Sequence, residues 1–107
     1  MALNTQEVVQ QNIEEKLQSL GITLPEASTP LANFVPYVIS GSHVFISGQV
    51  PLENGQACFV GQVGDTISPE QAYRAAQLCA INILAQLKAA CDGDLSRVKR
   101  IVRLGAL

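Results

Sequence analysis

The sequence predicts an α+β fold, and three observations carry that expectation. Residues 34–64 hold short β-rich runs broken by turn residues, among them Ser40-Gly41-Ser42 and Asn54-Gly55. One long helical pattern follows, opened by Ser68-Pro69-Glu70-Gln71. The resulting order of helix, hairpin, hairpin, long helix and strand is not a repeated βαβ alternation, which disfavours a doubly wound sheet.

The elements follow in chain order. Asn4 is placed to cap the first helix, with Glu7 three positions on completing a capping-box pair. Val9, Ile13, Leu17 and Leu20 recur at helical spacing and leave Gln10, Glu14, Glu15 and Gln18 for solvent. Gly21 suits the left-handed residue that closes such a helix. Thr23 to Pro30 is rich in proline and small residues and reads as a stiff connector. Residues 1–24 are thus expected to form a helix and linker, and 25–107 the body of the domain.

Phe34 to Ile39 is an extended run in which Pro36 cannot donate to a ladder, so it belongs at an edge or a bulge. Gly41 sits where a tight turn needs a positive φ, and His43 to Ser47 returns as the second strand. Asn54-Gly55 then favours a hairpin between Val50–Leu52 and Ala57–Val60. Ser68 caps the long helix, Pro69 loses nothing in its first turn, and Gln71 completes the box. Ala72, Ala76, Cys79, Ala80, Ile83, Leu84 and Leu87 are expected to mark its buried stripe as far as about Ala90. Asp92-Gly93-Asp94 ends it, and Val98 to Leu104 reads as a half-buried strand.

Composition excludes several classes. At 107 residues, with 48% hydrophobic and 15% charged residues, the chain has the make-up of one small globular domain rather than a disordered segment. A net charge of -2 supplies no cationic field for phosphate contacts, so a nucleic-acid partner is not expected. Cys58, Cys79 and Cys91 are odd in number and scattered, which points to a reducing cytoplasm rather than a disulfide framework. No apolar run approaches the roughly 20 residues of a membrane span, and the first residues lack signal-peptide character.

Five motifs recur along the chain in a recognisable order. They are Pro30-x-Ala32-Asn33-Phe34-Val35-Pro36, Ser47-Gly48-Gln49-Val50-Pro51, Gly61-x-Val63-Gly64, Cys79-Ala80-x-Asn82 and Asp94-Leu95-x-Arg97-Val98-Lys99. Together they resemble the RidA/YjgF family. The resemblance implies a chorismate-mutase-like mixed sheet with helices packed on one face, and a homotrimer with ligand clefts between subunits. It further implies hydrolysis of reactive enamines and imines of the 2-aminoacrylate type to a 2-keto acid and ammonia, with no cofactor and no metal. On the same ground the chain is expected to be an incomplete member, lacking a C-terminal helix, a strand and the arginine that grips the substrate carboxylate. Arg103 does not occupy that arginine's place, and Phe34 stands where family members often present a tyrosine hydroxyl.

Four residues are candidate contacts to a small anionic metabolite, a 2-imino or 2-keto acid: Phe34, Ser47, Gly48 and Gln49. Ser47 can offer a hydroxyl and Gly48 an unobstructed backbone amide, the groups that stabilise developing negative charge. A strand end that needs small residues for close packing would look the same. Gln49 reads equally as a structural amide bonded to backbone. His43 has no Asp, Glu or Cys at ligand spacing and reads as a strand-edge histidine. Arg97, Lys99, Arg100 and Arg103 form a basic cluster of the kind usually found on a solvated face. A non-catalytic ligand-binding protein of the same fold is the alternative to an enzyme.

Overall fold

The computed structural model describes residues 13–27, 34–53 and 56–106. The Asn4 cap, Glu7, Val9 and the Asn54-Gly55 turn fall outside them.

Helix α1 covers residues 13–19 of the described chain. Leu17 is its buried anchor, whereas Leu20, expected on the same stripe, is 58% exposed because the helix has already ended there. The ending is a Schellman motif. Gly21 takes φ +70, its amide donates to Gln18 O at 3.0 Å, and the Ile22 amide donates to Leu17 O at 2.9 Å. Glu14 pairs with Lys88 at 3.4 Å, so α1 lies along the C-terminal half of the long helix.

Strands β1 (Tyr37–Ser40) and β2 (His43–Ile46) form an antiparallel hairpin with Tyr37 opposite Ile46 and Val38 opposite Phe45. Gly41 takes φ +59 while Ser42 stays at negative φ, the pattern of a II′ loop. The expected run from Phe34 shortens to a strand starting at Tyr37, because Pro36 has no amide to continue the ladder. Strands β3 (Leu52–Glu53) and β4 (Gln56–Ala57) pair in a second, shorter hairpin. It stops well before Val60, since Phe59 turns to φ 56, incompatible with a strand.

Helix α2 (Pro69–Ala90) begins with the full capping box: Gln71 N donates to Ser68 Oγ at 3.1 Å and Ser68 N donates to Gln71 Oε1 at 2.9 Å. It lies against β1, β2 and β3. The buried positions are Leu78, Asn82, Ala85, Gln86 and Ala90, while Ala76 and Ala80 are exposed. This corrects the stripe expected from sequence. Spacing favoured the face with more apolar residues, but α2 turns Asn82 inward instead, where its amide bonds the Val50 and Leu52 carbonyls.

Past α2, Asp92 takes φ 56 and a short 3-10 turn, η1 (Leu95–Arg97), buries Leu95 to 1% exposure. The strand expected over Val98 to Leu104 does not form. Residues 98–106 are irregular, with Ile101, Val102 and Leu104 each about 70% exposed. Alternation is a condition for a strand, but a ladder needs a partner, and no described residue pairs with this segment.

Candidate functional site

The corner that follows β2 is built by hydrogen bonds from three directions. The Ser47 amide donates to Pro36 O at 2.9 Å, which carries the β1–β2 ladder one step past its last paired residues. The Ser47 hydroxyl donates to Val35 O. Both Ser47 donors therefore tie down the segment that bears Phe34, and neither is left to face a ligand. Its hydroxyl lone pairs still can.

Gly48 differs. Among the described residues its amide has no acceptor, and a Cβ built on it would meet nothing within 4 Å. The residue is exposed, and its amide is unengaged among the described residues. Gln49 folds back, donating from Nε2 to Ser47 O at 2.9 Å, and so behaves as the structural amide that its sequence allowed. Phe34 is 47% exposed, one residue before the Val35 carbonyl that the Ser47 hydroxyl bonds. The structure thus gathers Phe34, Ser47, Gly48 and Gln49 at one corner, with the Gly48 amide as its free polar group.

The far side of the corner is fixed from α2. Leu52 N donates to Val50 O at 2.8 Å across Pro51, a tight reversal to which proline's restricted φ is suited. Asn82 Nδ2 donates to Val50 O at 3.2 Å and to Leu52 O at 3.1 Å. Neither charge nor turn chemistry marks Asn82 as a participant in this corner. The available signal is the spacing of Leu78, Asn82 and Ala85, which puts a polar side chain on a helical core face.

The remaining candidates lie elsewhere. His43 is exposed and stacks on Phe45, ring centroids 6.4 Å apart. Arg97 pairs with Asp92 at 3.3 Å in solvent, and Lys99, Arg100 and Arg103 are exposed. A hydrogen bond from the Ser96 hydroxyl holds the Asp94 carboxyl below its ordinary range, consistent with its role as the cap of η1. Burial pushes the Cys79 thiol up, which disfavours the thiolate. An open groove of about 230 Å³ runs between α1 and α2, lined by Leu17, Ile22, Leu24, Glu14 and Lys88, away from the corner. Among the described residues no three His, Cys, Asp or Glu side chains are grouped to hold a metal ion. No described helix is long and apolar enough to cross a membrane.

Comparison with known proteins bears on the family and the fold. The chain is 42% identical over 92 residues to Protein TCP17 of Trypanosoma cruzi, covering 86% of this chain and 57% of that protein. The crystal structure of Atu1372 from Agrobacterium tumefaciens, a protein of unknown function, superposes with a TM-score of 0.73 at 45% identity, over 89% of this chain and 56% of that one. A "putative endoribonuclease" of Shewanella oneidensis MR-1 superposes with a TM-score of 0.77 at 42% identity, over 82% and 58%. The chain therefore spans somewhat more than half the length of these relatives. The family model described as "YjgF/chorismate_mutase-like, putative endoribonuclease" matches residues 14–107, a span that takes in both hairpins, α2 and the Ser47–Pro51 corner. An α+β chain with that corner, those neighbours and that match belongs to the YjgF/chorismate mutase-like family.

Proposed function

We propose that this chain serves a RidA-like hydrolysis of reactive enamines and imines, acting in the cytoplasm on small 2-imino acids of the kind formed from 2-aminoacrylate. The observation that carries the reading is the Gly48 amide, exposed, without an acceptor among the described residues, and flanked by anchored backbone. Such an amide suits one oxygen of a small carboxylate, or the oxygen of the carbinolamine as that adduct expels ammonia and its C–O bond becomes a carbonyl. The reaction balances without a cofactor. 2-Aminoacrylate takes a proton at its terminal carbon and gives one up from its nitrogen to become the imine. Water adds to the C=N carbon, and the tetrahedral adduct expels ammonia to leave pyruvate.

In this reading Phe34 forms an apolar wall beside the corner, Ser47 holds the corner in place, and Gln49 braces Ser47. A homotrimer would supply the rest of the cleft from a neighbouring subunit. Supporting that assembly, Val38 and Phe45 lie opposite each other on the hairpin face turned away from Tyr37 and Ile46, 50% and 62% exposed. A non-catalytic ligand-binding protein is the second reading. It is favoured by the use of both Ser47 donors on backbone, which leaves few polar groups at the corner for chemistry. The endoribonuclease wording attached to the family has less support here, since a net charge of -2 offers little to a polyanion.

Ammonia release from freshly generated 2-aminoacrylate tests the enzyme directly. The full-length gene product is expected to exceed the buffer rate. Binding of 2-keto acids without turnover would select the second reading, and absence of both would remove the corner as a ligand site.

A further inference from the structure

We propose that Asn82 is the positioning residue of the Gly48 corner, holding by hydrogen bonds from α2 the backbone that sets the direction of the Gly48 amide. The inference rests on the reading of that corner as the ligand site, and adds to it a residue remote in sequence.

Asn82 is only 7% exposed, on a helix face shared with Leu78 and Ala85. A buried amide is costly unless bonded, and this one directs its Nδ2 donors to the carbonyls of Val50 and Leu52, at 3.2 and 3.1 Å. Those carbonyls flank Pro51, which has no amide to donate and joins the hairpin through its carbonyl, the acceptor of the Cys58 amide at 2.8 Å. Only a residue with two hydrogens on one planar nitrogen meets both carbonyls from a single short side chain. Serine and threonine bring one donor, and an ionised aspartate brings none.

The consequence falls on Gly48. Ser47 is held on one side by Val35 and Pro36, and Val50 is held on the other by Asn82. Gly48 and Gln49 bridge these two fixed points, so the direction of the free amide is set before any ligand arrives. A donor prepared in this way needs no reorganisation on binding, which is the condition for it to hold an anion well.

The test is the isosteric variant N82D in the full-length protein, read by amide hydrogen exchange and by titration with pyruvate across pH 5 to 8.5. At the alkaline end the new carboxylate faces two carbonyls. The Leu52 and Cys58 amides, which donate to Val50 O and Pro51 O, are expected to exchange about tenfold faster than in wild type at the same pH, while Ser47 is unchanged. Pyruvate affinity is expected to fall by about the same factor. At the acid end the protonated carboxyl donates again and both differences narrow. Exchange in N82D equal to wild type over the whole range overturns the proposal. So does a loss of protection that extends to Ser47 and α2 and does not recover at low pH, which marks Asn82 as core filling only. If N82D does not fold, Asn82→Ser decides: a single retained donor is expected to give intermediate exchange at Leu52, and wild-type exchange there overturns the proposal. A wild-type protein that fails to bind pyruvate removes the ligand reading alone, because the exchange measurement judges the tether without ligand.

Discussion

Ser47 and Gly48 stand side by side and have opposite fates. Both Ser47 donors are engaged, its amide on Pro36 O and its hydroxyl on Val35 O, so it acts as a rivet between the segment bearing Phe34 and the corner. Gly48 has an amide unengaged among the described residues and room where a Cβ would stand. That contrast yields a clean prediction. Gly48→Ala adds a methyl into open space at a position without positive φ, so stability should change by no more than about 0.5 kcal/mol. A ligand approaching the amide would meet that methyl, and 2-keto acid affinity should drop. Thermal unfolding alongside ligand titration checks both parts; a variant that binds as wild type does would move the ligand away from Gly48. Gly61 is the counterexample. Its φ is +151, and a Cβ placed there would run into Thr66 Oγ1, which leaves no room for any side chain.

Among the elements, the two helix ends repeat one device with different residues. After α1 the left-handed position is Gly21, which accepts it freely. After α2 it is Asp92 at φ 56, with the Gly93 amide donating to Lys88 O at 2.8 Å and the Asp92 amide to Ala89 O at 3.2 Å. For a non-glycine residue that conformation costs roughly 1–2 kcal/mol. The Asp92–Arg97 pair offsets little of it, both side chains being well exposed. Asp92→Gly should therefore raise stability by roughly 0.5–1 kcal/mol, measurable as a later denaturant midpoint at unchanged slope. At the other end, Ser68→Ala removes half of the capping box and should cost about 1 kcal/mol by the same measurement.

At the scale of the whole molecule, two apolar stretches of the described chain lie exposed. Val38 and Phe45 face away from α2, and Ile101, Val102 and Leu104 run exposed past η1. Exposed apolar residues of this kind are where association is expected. Concentration-dependent association is the expected outcome in sedimentation, and Phe45→Lys should shift it toward smaller species without unfolding the hairpin, because Phe45 is 62% exposed. A well-folded monomer at micromolar concentration, unaffected by that change, would contradict it.

The sequence by itself determined the local devices: the Gly21 and Gly41 turns, the Ser68–Gln71 box, the extent of α2 and the α+β class. Each depends on a few neighbouring residues whose backbone preferences act within one turn of chain. It also located the Ser47–Gly48 corner, through motifs resembling a family. Only the tertiary structure decided which face of α2 is buried, since that depends on what lies opposite, and β3 selects Asn82 over the more apolar Ala76–Ala80 side. It likewise decided that residues 98–104 form no strand, because an alternating pattern states a capacity to pair while pairing itself needs a second strand. And it decided that Ser47 holds backbone while Gly48 stays free, a division set by where the chain's carbonyls come to rest in space.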